Sequence, residues 1–268
     1  MVREREETIG GRRVRWLDAG PESGRVLVWL HAFPLSAAMW LPQLEAPPPG
    51  WRLIAPDLAG FGGTADHDGA PHIDDFADDL DRLLAHLDAP PIVLGGLSMG
   101  GYAAFAMMRR HPARVRALIL ADTRSAADSP EARANRARLL SVVRESGPAG
   151  VADQMLPTLV GETTRRERPE VVARVRALIE ANAAAGIARG IERLRDRPDS
   201  TPLLSDIAIP ALVVSGAEDA ITRPDDARAL AAALPRGTVA IVPAAGHLSN
   251  LEHPRAFDAA VGGWLSEV

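Results

Sequence analysis

The chain opens on two short β-like stretches, around residues 8–9 and 14–17, which flank Gly10-Gly11 and read as an antiparallel hairpin. Residues 26–30 (VLVWL) are then apolar without interruption, the pattern of a strand buried on both faces. From there two periods alternate. A short strand over 53–55 ends at Pro56-Asp57, and residues 73–87 place Phe76, Leu80, Leu83, Leu84 and Leu87 on one helical face. Residues 91–97 (PIVLGGL) form another buried strand, 99–110 a helix stopped at His111-Pro112, and 115–121 (VRALILA) a further strand. Strands over 209–215 and 239–242, a helix over 224–234 between them and a last helix over 253–265 complete the series. Strand and helix in succession predict an α/β fold, a mostly parallel central sheet with right-handed crossovers and helices on both faces.

One stretch departs from the alternation. Residues 123–205 are rich in Arg and Ala, show helical periodicity over 132–144 and 171–179, and contain no convincing strand. They are expected to form a helical cap insertion, with the core domain made of 1–122 and 206–268. Because the insertion leaves one strand end and returns just before the next, it should lie over the carboxyl edge of the sheet, where open α/β sheets bind ligands. At 268 residues, with no compositional break, a single core carrying an insertion is the economical reading.

Composition narrows the chemistry. The chain has no cysteine, so disulfides, thiolate nucleophiles and sulfur-based zinc sites are excluded. Its 30 basic residues are all arginine, dispersed in a chain of formal charge −5, which leaves no footprint for nucleic acid or an anionic membrane. The first ten residues, MVREREETIG, are charged where a secretory signal needs an apolar core, and nothing approaches the ~20 apolar residues of a membrane span. These features predict a cytoplasmic protein; a small-molecule substrate, no cofactor or metal, and a monomer or homodimer are the accompanying expectations.

The strongest local signal is Gly96-Leu97-Ser98-Met99-Gly100, set between an apolar strand and a helix. In that context G-x-S-x-G is a nucleophile elbow: a tight turn thrusts the serine outward, and the helix N-terminus behind it offers free N–H groups to a developing anion. A serine needs a base, and the base needs a carboxylate to orient it. Among the seven histidines His247 is preferred, since AAGHLS lies in a loop after the last strand, whereas His253 opens the final helix. His67, His72, His86 and His111 fall on surface loops and helix ends. Asp219, in the loop SGAED after the preceding strand, is the preferred acid, with Glu218 and Asp122 as rivals. The order Ser98, Asp219, His247 is that of α/β-hydrolases and differs from the trypsin-like and subtilisin-like orders. An oxyanion would be met by the Met99 N–H and by an N–H from His31-Ala32-Phe33-Pro34, for which Phe33 is nominated. Trp40 and Tyr102 are expected to shape the substrate pocket.

HAFPLSAAMW, APDLAGFGGT, GLSMGGYAAF, SGAEDAITRP and AAGHLSNLEHP together resemble the α/β-hydrolases close to carboxylesterases, cofactor-free haloperoxidase-like perhydrolases and 3-oxoadipate enol-lactonases. The resemblance runs from residue 31 to residue 254 and implies the same nucleophile, acid, base and oxyanion donors. It implies hydrolysis of a carboxylic ester or lactone, acyl-homoserine lactones among them, through an acyl-enzyme on Ser98. Perhydrolysis or C–C hydrolysis by the same residues is the alternative, and a non-catalytic ligand receptor on the same scaffold is the alternative from another class. Two departures stand out: Ala32 where the family usually has glycine, and Ala59 where it often has arginine. A serine at position 98 separates the chain from haloalkane dehalogenases and epoxide hydrolases, which resemble the fold but use an aspartate nucleophile.

Overall fold

In the computed structural model, which describes residues 1–268, the opening hairpin runs well beyond its apolar centre. Strands β1 (Arg3–Ile9) and β2 (Arg12–Ala19) pair antiparallel, with Arg3 opposite Asp18 and Ile9 opposite Arg12. The polar outer strand carries no alternation that a sequence reading could detect; its backbone pairing and the Arg3–Asp18 ion pair hold it in place. Six further strands follow: β3 (Arg25–Leu30), β4 (Trp51–Pro56), β5 (Ile92–Leu97), β6 (Val115–Ala121), β7 (Ala211–Gly216) and β8 (Gly237–Val242). All eight form one sheet in the order β1-β2-β4-β3-β5-β6-β7-β8, antiparallel up to the β2–β4 pair and parallel beyond it. The α/β architecture expected from the alternation is therefore the one observed. Strands β3, β5, β6 and β7 are the uninterrupted apolar runs, and helices on both faces bury them; only the edge strand β8 leaves an apolar side chain, Val239, exposed.

The helices are α1 (Leu41–Glu45), α2 (Asp74–His86), α3 (Met99–Arg110), α4 (Pro130–Leu159), α5 (Glu162–Glu167), α6 (Pro169–Glu180), α7 (Ala184–Asp196), α8 (Pro224–Ala233), α9 (Ser249–Glu252) and α10 (Pro254–Leu265). The chain leaving β3 crosses to β4 on one side, while β5, on the other side of β3, sends the chain away toward β6. The carboxyl ends of β3 and β5 thus flank the switch point of the sheet, where diverging loops leave a crevice for a ligand. That crevice lies beside the loop after β3 and the residue after β5, which are His31-Ala32-Phe33-Pro34 and Ser98.

Helices α4 to α7 all fall between β6 and β7. α4 is broken at Gly147, whose φ of 62° and ψ of −160° precede Pro148, so it forms two arms. Side chains from this segment reach down to the core loops. Asn182 donates from Nδ2 to the Pro34 carbonyl and accepts from the Gly62 N–H, each at 2.9 Å. The buried Arg193 pairs with Asp66 at 2.5 Å, and Arg189 pairs with the same carboxylate at 2.6 Å. Gly186 meets the loop backbone directly, since a Cβ there would lie 1.8 Å from the Gly60 carbonyl oxygen. No helix is long and apolar enough to cross a membrane.

Candidate active site

Ser98 stands between β5 and α3 with φ 53° and ψ −108°. A residue with a Cβ pays roughly 1–3 kcal/mol to occupy such a region, so the surrounding contacts must hold it there. They are visible. The Ser98 N–H donates to the Ala121 carbonyl at 2.9 Å, and its own carbonyl accepts from Gly101 N–H and from the Thr123 hydroxyl, both at 2.9 Å. The turn is tight because backbones meet: a Cβ on Gly96 would lie 2.2 Å from the Gly100 carbonyl oxygen, and one on Gly100 would lie 2.1 Å from that of Leu30. Two glycines are required where the motif has them.

His247, in the loop after β8, and Asp219, in the loop after β7, close on Ser98 from the neighbouring strand ends. Ser98 Oγ lies 2.8 Å from His247 Nε2, and His247 Nδ1 lies 2.8 Å from Asp219 Oδ2. His247 is 2% exposed, so water does not compete for its ring. Asp219 Oδ1 accepts from the N–H groups of Ile221 and Thr222 at 2.7 and 2.9 Å, and the Thr222 hydroxyl donates to Oδ2 at 2.6 Å. Burial pushes the Asp219 carboxyl up, but the His247 ring and the Thr222 donors outweigh it and hold the group below its ordinary value. An ionised Asp219 can only accept, so His247 Nδ1 carries the proton and Nε2 faces the Ser98 hydroxyl as an acceptor.

The rival carboxylates go elsewhere. Asp122, at φ 46° after β6, accepts from Gly216 N–H at 2.8 Å and from the Ser249 hydroxyl at 2.5 Å, and does not touch His247. Burial, reinforced by the nearby charge of Asp219, raises its carboxyl well above the ordinary range. Their surroundings thus drive the two carboxyls in opposite directions, Asp219 down and Asp122 up. Glu218 points away and accepts from Thr163 N–H and its hydroxyl at 2.8 and 2.5 Å, which ties the first turn of α5 to the loop after β7. His253 precedes α10, and His67, His86 and His111 pair with Asp79, Glu7 and Asp78.

Two residues that hold the loops of the site escape a reading of the sequence. Thr222 is one. Glu252 is the other: its wholly buried carboxylate accepts from Gly161 N–H at 2.8 Å, Gly246 N–H at 2.9 Å and Leu248 N–H at 3.2 Å. It grips both residues flanking His247 and a residue of the segment between β6 and β7. The one available signal was an acid five positions after the histidine, at the end of LSNLE.

On the β3 side, the loop 31–34 is pinned from beneath. His31 is fully buried, with Nδ1 2.9 Å from the Ala32 carbonyl and Nε2 accepting from Leu58 N–H at 3.0 Å. Burial lowers its basicity, and a carbonyl on one nitrogen with an amide donor on the other defines a neutral ring. Asp57 accepts from Ala37 N–H at 2.8 Å, Gly63 N–H at 2.9 Å and Arg15 at 2.6 Å, a structural knot for the loops after β3 and β4. The methyl group of Ala32 is fully buried, so the departure from glycine is absorbed by packing. The Phe33 N–H has no acceptor within the protein, and Met99, the first residue of α3, has no carbonyl four residues back in its helix. The Phe33 ring itself packs edge-on against Phe61 at 6.1 Å.

Trp40 and Tyr102, expected to shape the pocket, are both packed against other side chains. Trp40 is fully buried in a stack with Trp29, ring centroids 4.4 Å apart, beside Phe257; a large indole there fills the layer between sheet and helices. Tyr102 lies one turn along α3 from Ser98, but its ring is covered by the Arg197 guanidinium at 4.1 Å.

Comparison with known proteins agrees with this fold. Residues 25–254 match the family described as the alpha/beta hydrolase fold. The chain is 31% identical over 235 residues to 3-oxoadipate enol-lactonase 2 of Acinetobacter baylyi, covering 88% of this chain and 86% of that protein. A thermophilic esterase from Thermogutta terrifontis, solved with malate bound, superposes with a TM-score of 0.93 at 38% identity over 99% of this chain and 98% of that one. The enol-lactonase from Burkholderia xenovorans LB400 superposes with a TM-score of 0.88 at 27% identity over 98% of this chain and all 100% of that one.

Proposed function

This chain belongs to the α/β-hydrolase family, and from that premise we propose that it is a serine hydrolase of carboxylic esters and lactones, with Ser98 as nucleophile, His247 as base and Asp219 as acid. The observation that carries the reading is the unbroken hydrogen-bonded line from Ser98 Oγ through both nitrogens of His247 to Asp219, at 2.8 Å for each link. The esterase and enol-lactonase relatives support the substrate class.

In this mechanism His247 Nε2 takes the hydroxyl proton as Ser98 Oγ bonds to the acyl carbon, and the carbonyl electron pair moves onto oxygen. The unengaged N–H groups of Phe33 and Met99 receive that oxyanion, and the N-terminal end of α3 adds its dipole. Asp219 stabilises the imidazolium. Collapse of the tetrahedral species breaks the C–O bond, and His247 protonates the departing alcohol oxygen. Water then repeats the sequence to release the acid. In a lactone the leaving oxygen stays tethered to the acyl group, so the same steps open the ring. The helices of 123–205 act as a cap over the crevice, a role supported by their contacts to the loops after β3 and β4.

A fluorophosphonate probe should label Ser98, and p-nitrophenyl acetate, p-nitrophenyl butyrate or an acyl-homoserine lactone should turn over. A protein that is folded, unlabelled and inert on all three would instead be a ligand receptor. Turnover of diketones in preference to esters would move the reading to C–C hydrolysis.

Glu252 gives a separate expected result. Glu252→Gln turns one acceptor oxygen into a donor facing an N–H, so stability should fall by about 2–3 kcal/mol in urea unfolding. Because the loop that shifts carries His247, kcat should fall roughly 10- to 100-fold with little change in KM. A variant with lowered stability and undiminished kcat would leave Glu252 a purely structural residue.

A further inference from the structure

The loop that carries Phe33 is tied to the segment between β6 and β7 through a line of amides. In a trans peptide the carbonyl and the N–H share one plane and point in opposite directions, so a bond made at one end fixes the direction of the other. The buried Pro34 carbonyl accepts from Asn182 Nδ2 at 2.9 Å. The Leu35 N–H of that same peptide donates to the Ala32 carbonyl at 2.9 Å. The peptide of the Ala32 carbonyl ends in the Phe33 N–H, which is left free to meet an oxyanion.

Asn182 lies in the turn between α6 and α7 and is 4% exposed. Its Nδ2 also donates to the Leu178 carbonyl, and its Oδ1 accepts from Gly62 N–H, each at 2.9 Å. Two carbonyls at one end of the amide and an N–H at the other leave it one orientation. The far end is anchored in the core, because Asp57 holds the adjoining Gly63 N–H at 2.9 Å and the Ala37 N–H at 2.8 Å. α7 closes on the same place, where a Cβ on Gly190 would lie 3.1 Å from the Phe33 ring. Hydrogen bonds in line polarise one another, so each amide makes the next N–H a better donor. The line runs from Gly62 through Asn182, the Pro34–Leu35 peptide and the Ala32–Phe33 peptide to the oxyanion hole.

We propose that Asn182 is a positioning residue for the oxyanion hole, orienting and polarising the Phe33 N–H through two peptide planes without touching substrate. The role rests on the serine-hydrolase reading, in which the Phe33 N–H receives the oxyanion. It gives the segment over 123–205 a part in the reaction, since the hole is complete only while that segment is docked.

Two variants break the line at the same bond. At about pH 8, Asn182→Asp keeps an acceptor for Gly62 N–H and turns an oxygen toward the Pro34 carbonyl, whereas Asn182→Ala removes both bonds. In each, kcat on p-nitrophenyl butyrate should fall roughly 10- to 100-fold with KM within about twofold of wild type, a smaller loss than deletion of an oxyanion donor. Affinity for butyl trifluoromethyl ketone, whose hemiketal oxygen would sit in the hole, should fall by the same factor. The pH profile of kcat/KM, which reads His247, should keep its midpoint. Arg189→Gln is the control: it cuts another tie from the same segment, to Asp66, and should lower stability while leaving kcat and inhibitor affinity unchanged. An undiminished kcat in either folded Asn182 variant overturns the role, and so does a fall in kcat without a matching loss of inhibitor affinity. If Asn182→Ala does not fold, Asn182→Asp decides. A wild-type protein that is inert and unlabelled by fluorophosphonate removes the hydrolase reading and this role together. Brisk wild-type turnover with undiminished variants removes only the role.

Discussion

Ser98→Ala should lower kcat on a p-nitrophenyl ester by roughly 10⁴- to 10⁶-fold and abolish fluorophosphonate labelling, with the fold intact. The hydroxyl has one side-chain partner, His247 Nε2, so its removal leaves no buried network unsatisfied elsewhere. Alanine carries the same Cβ at φ 53°, so the strain of the turn is neither added nor relieved. His247→Ala should cost about as much, and the double variant little more, because nucleophile and base act as one unit. Steady-state rates normalised to protein concentration are the measurement, with thermal unfolding as the control. Retention of a tenth of the activity in Ser98→Ala would mean that another group attacks the substrate.

Asp219→Asn and Asp122→Asn should differ by about three orders of magnitude, although both are isosteric changes at neighbouring strand ends. In Asp219→Asn the oxygen of the new amide is claimed by the N–H groups of Ile221 and Thr222, which leaves the NH₂ facing His247 Nδ1. The ring must then carry its proton on Nε2, where it cannot accept one from Ser98, and the imidazolium loses its counter-charge. A fall in kcat of roughly 10⁴-fold is expected. Burial and the charge of Asp219 push the Asp122 carboxyl well up, against the charged form, so an uncharged amide is well tolerated at that position. The amide oxygen can still accept from Gly216 N–H, and the NH₂ can donate to the Ser249 hydroxyl. A loss of less than about tenfold follows. If Asp122→Asn proved the more damaging, the acid would be misassigned between the two loops.

The parts of the fold legible in the sequence are those where local pattern and tertiary burial coincide. The apolar runs of β3, β5, β6 and β7 read directly, because a strand covered on both faces has no polar position to obscure it. α7 was invisible despite Ile187, Ile191 and Leu194 recurring on one buried face. Its glycines depress helix propensity, yet they are what lets it dock: a Cβ on Gly190 would lie 2.6 Å from the Phe61 ring, and Gly186 meets the Gly60 backbone. Likewise the outer strand of the hairpin is polar almost throughout, and pairing alone makes it a strand.

At the site the division is similar. Ser98 was legible because an elbow is local: strand, glycine, serine, glycine and helix all lie within one short segment. His247 and Asp219 were legible as candidates because parallel strands end at one edge, so loops after successive strands converge there. Loop position in the sequence already favours Asp219 over Asp122, but both follow strands that end at that edge, and side-chain direction and burial are tertiary facts that separate them further. Trp40, Thr222 and Glu252 were decided the same way, by what each side chain meets in space. Periodicity along a chain records which positions must leave water; it carries no record of which distant backbone N–H or cation a buried carboxylate will face.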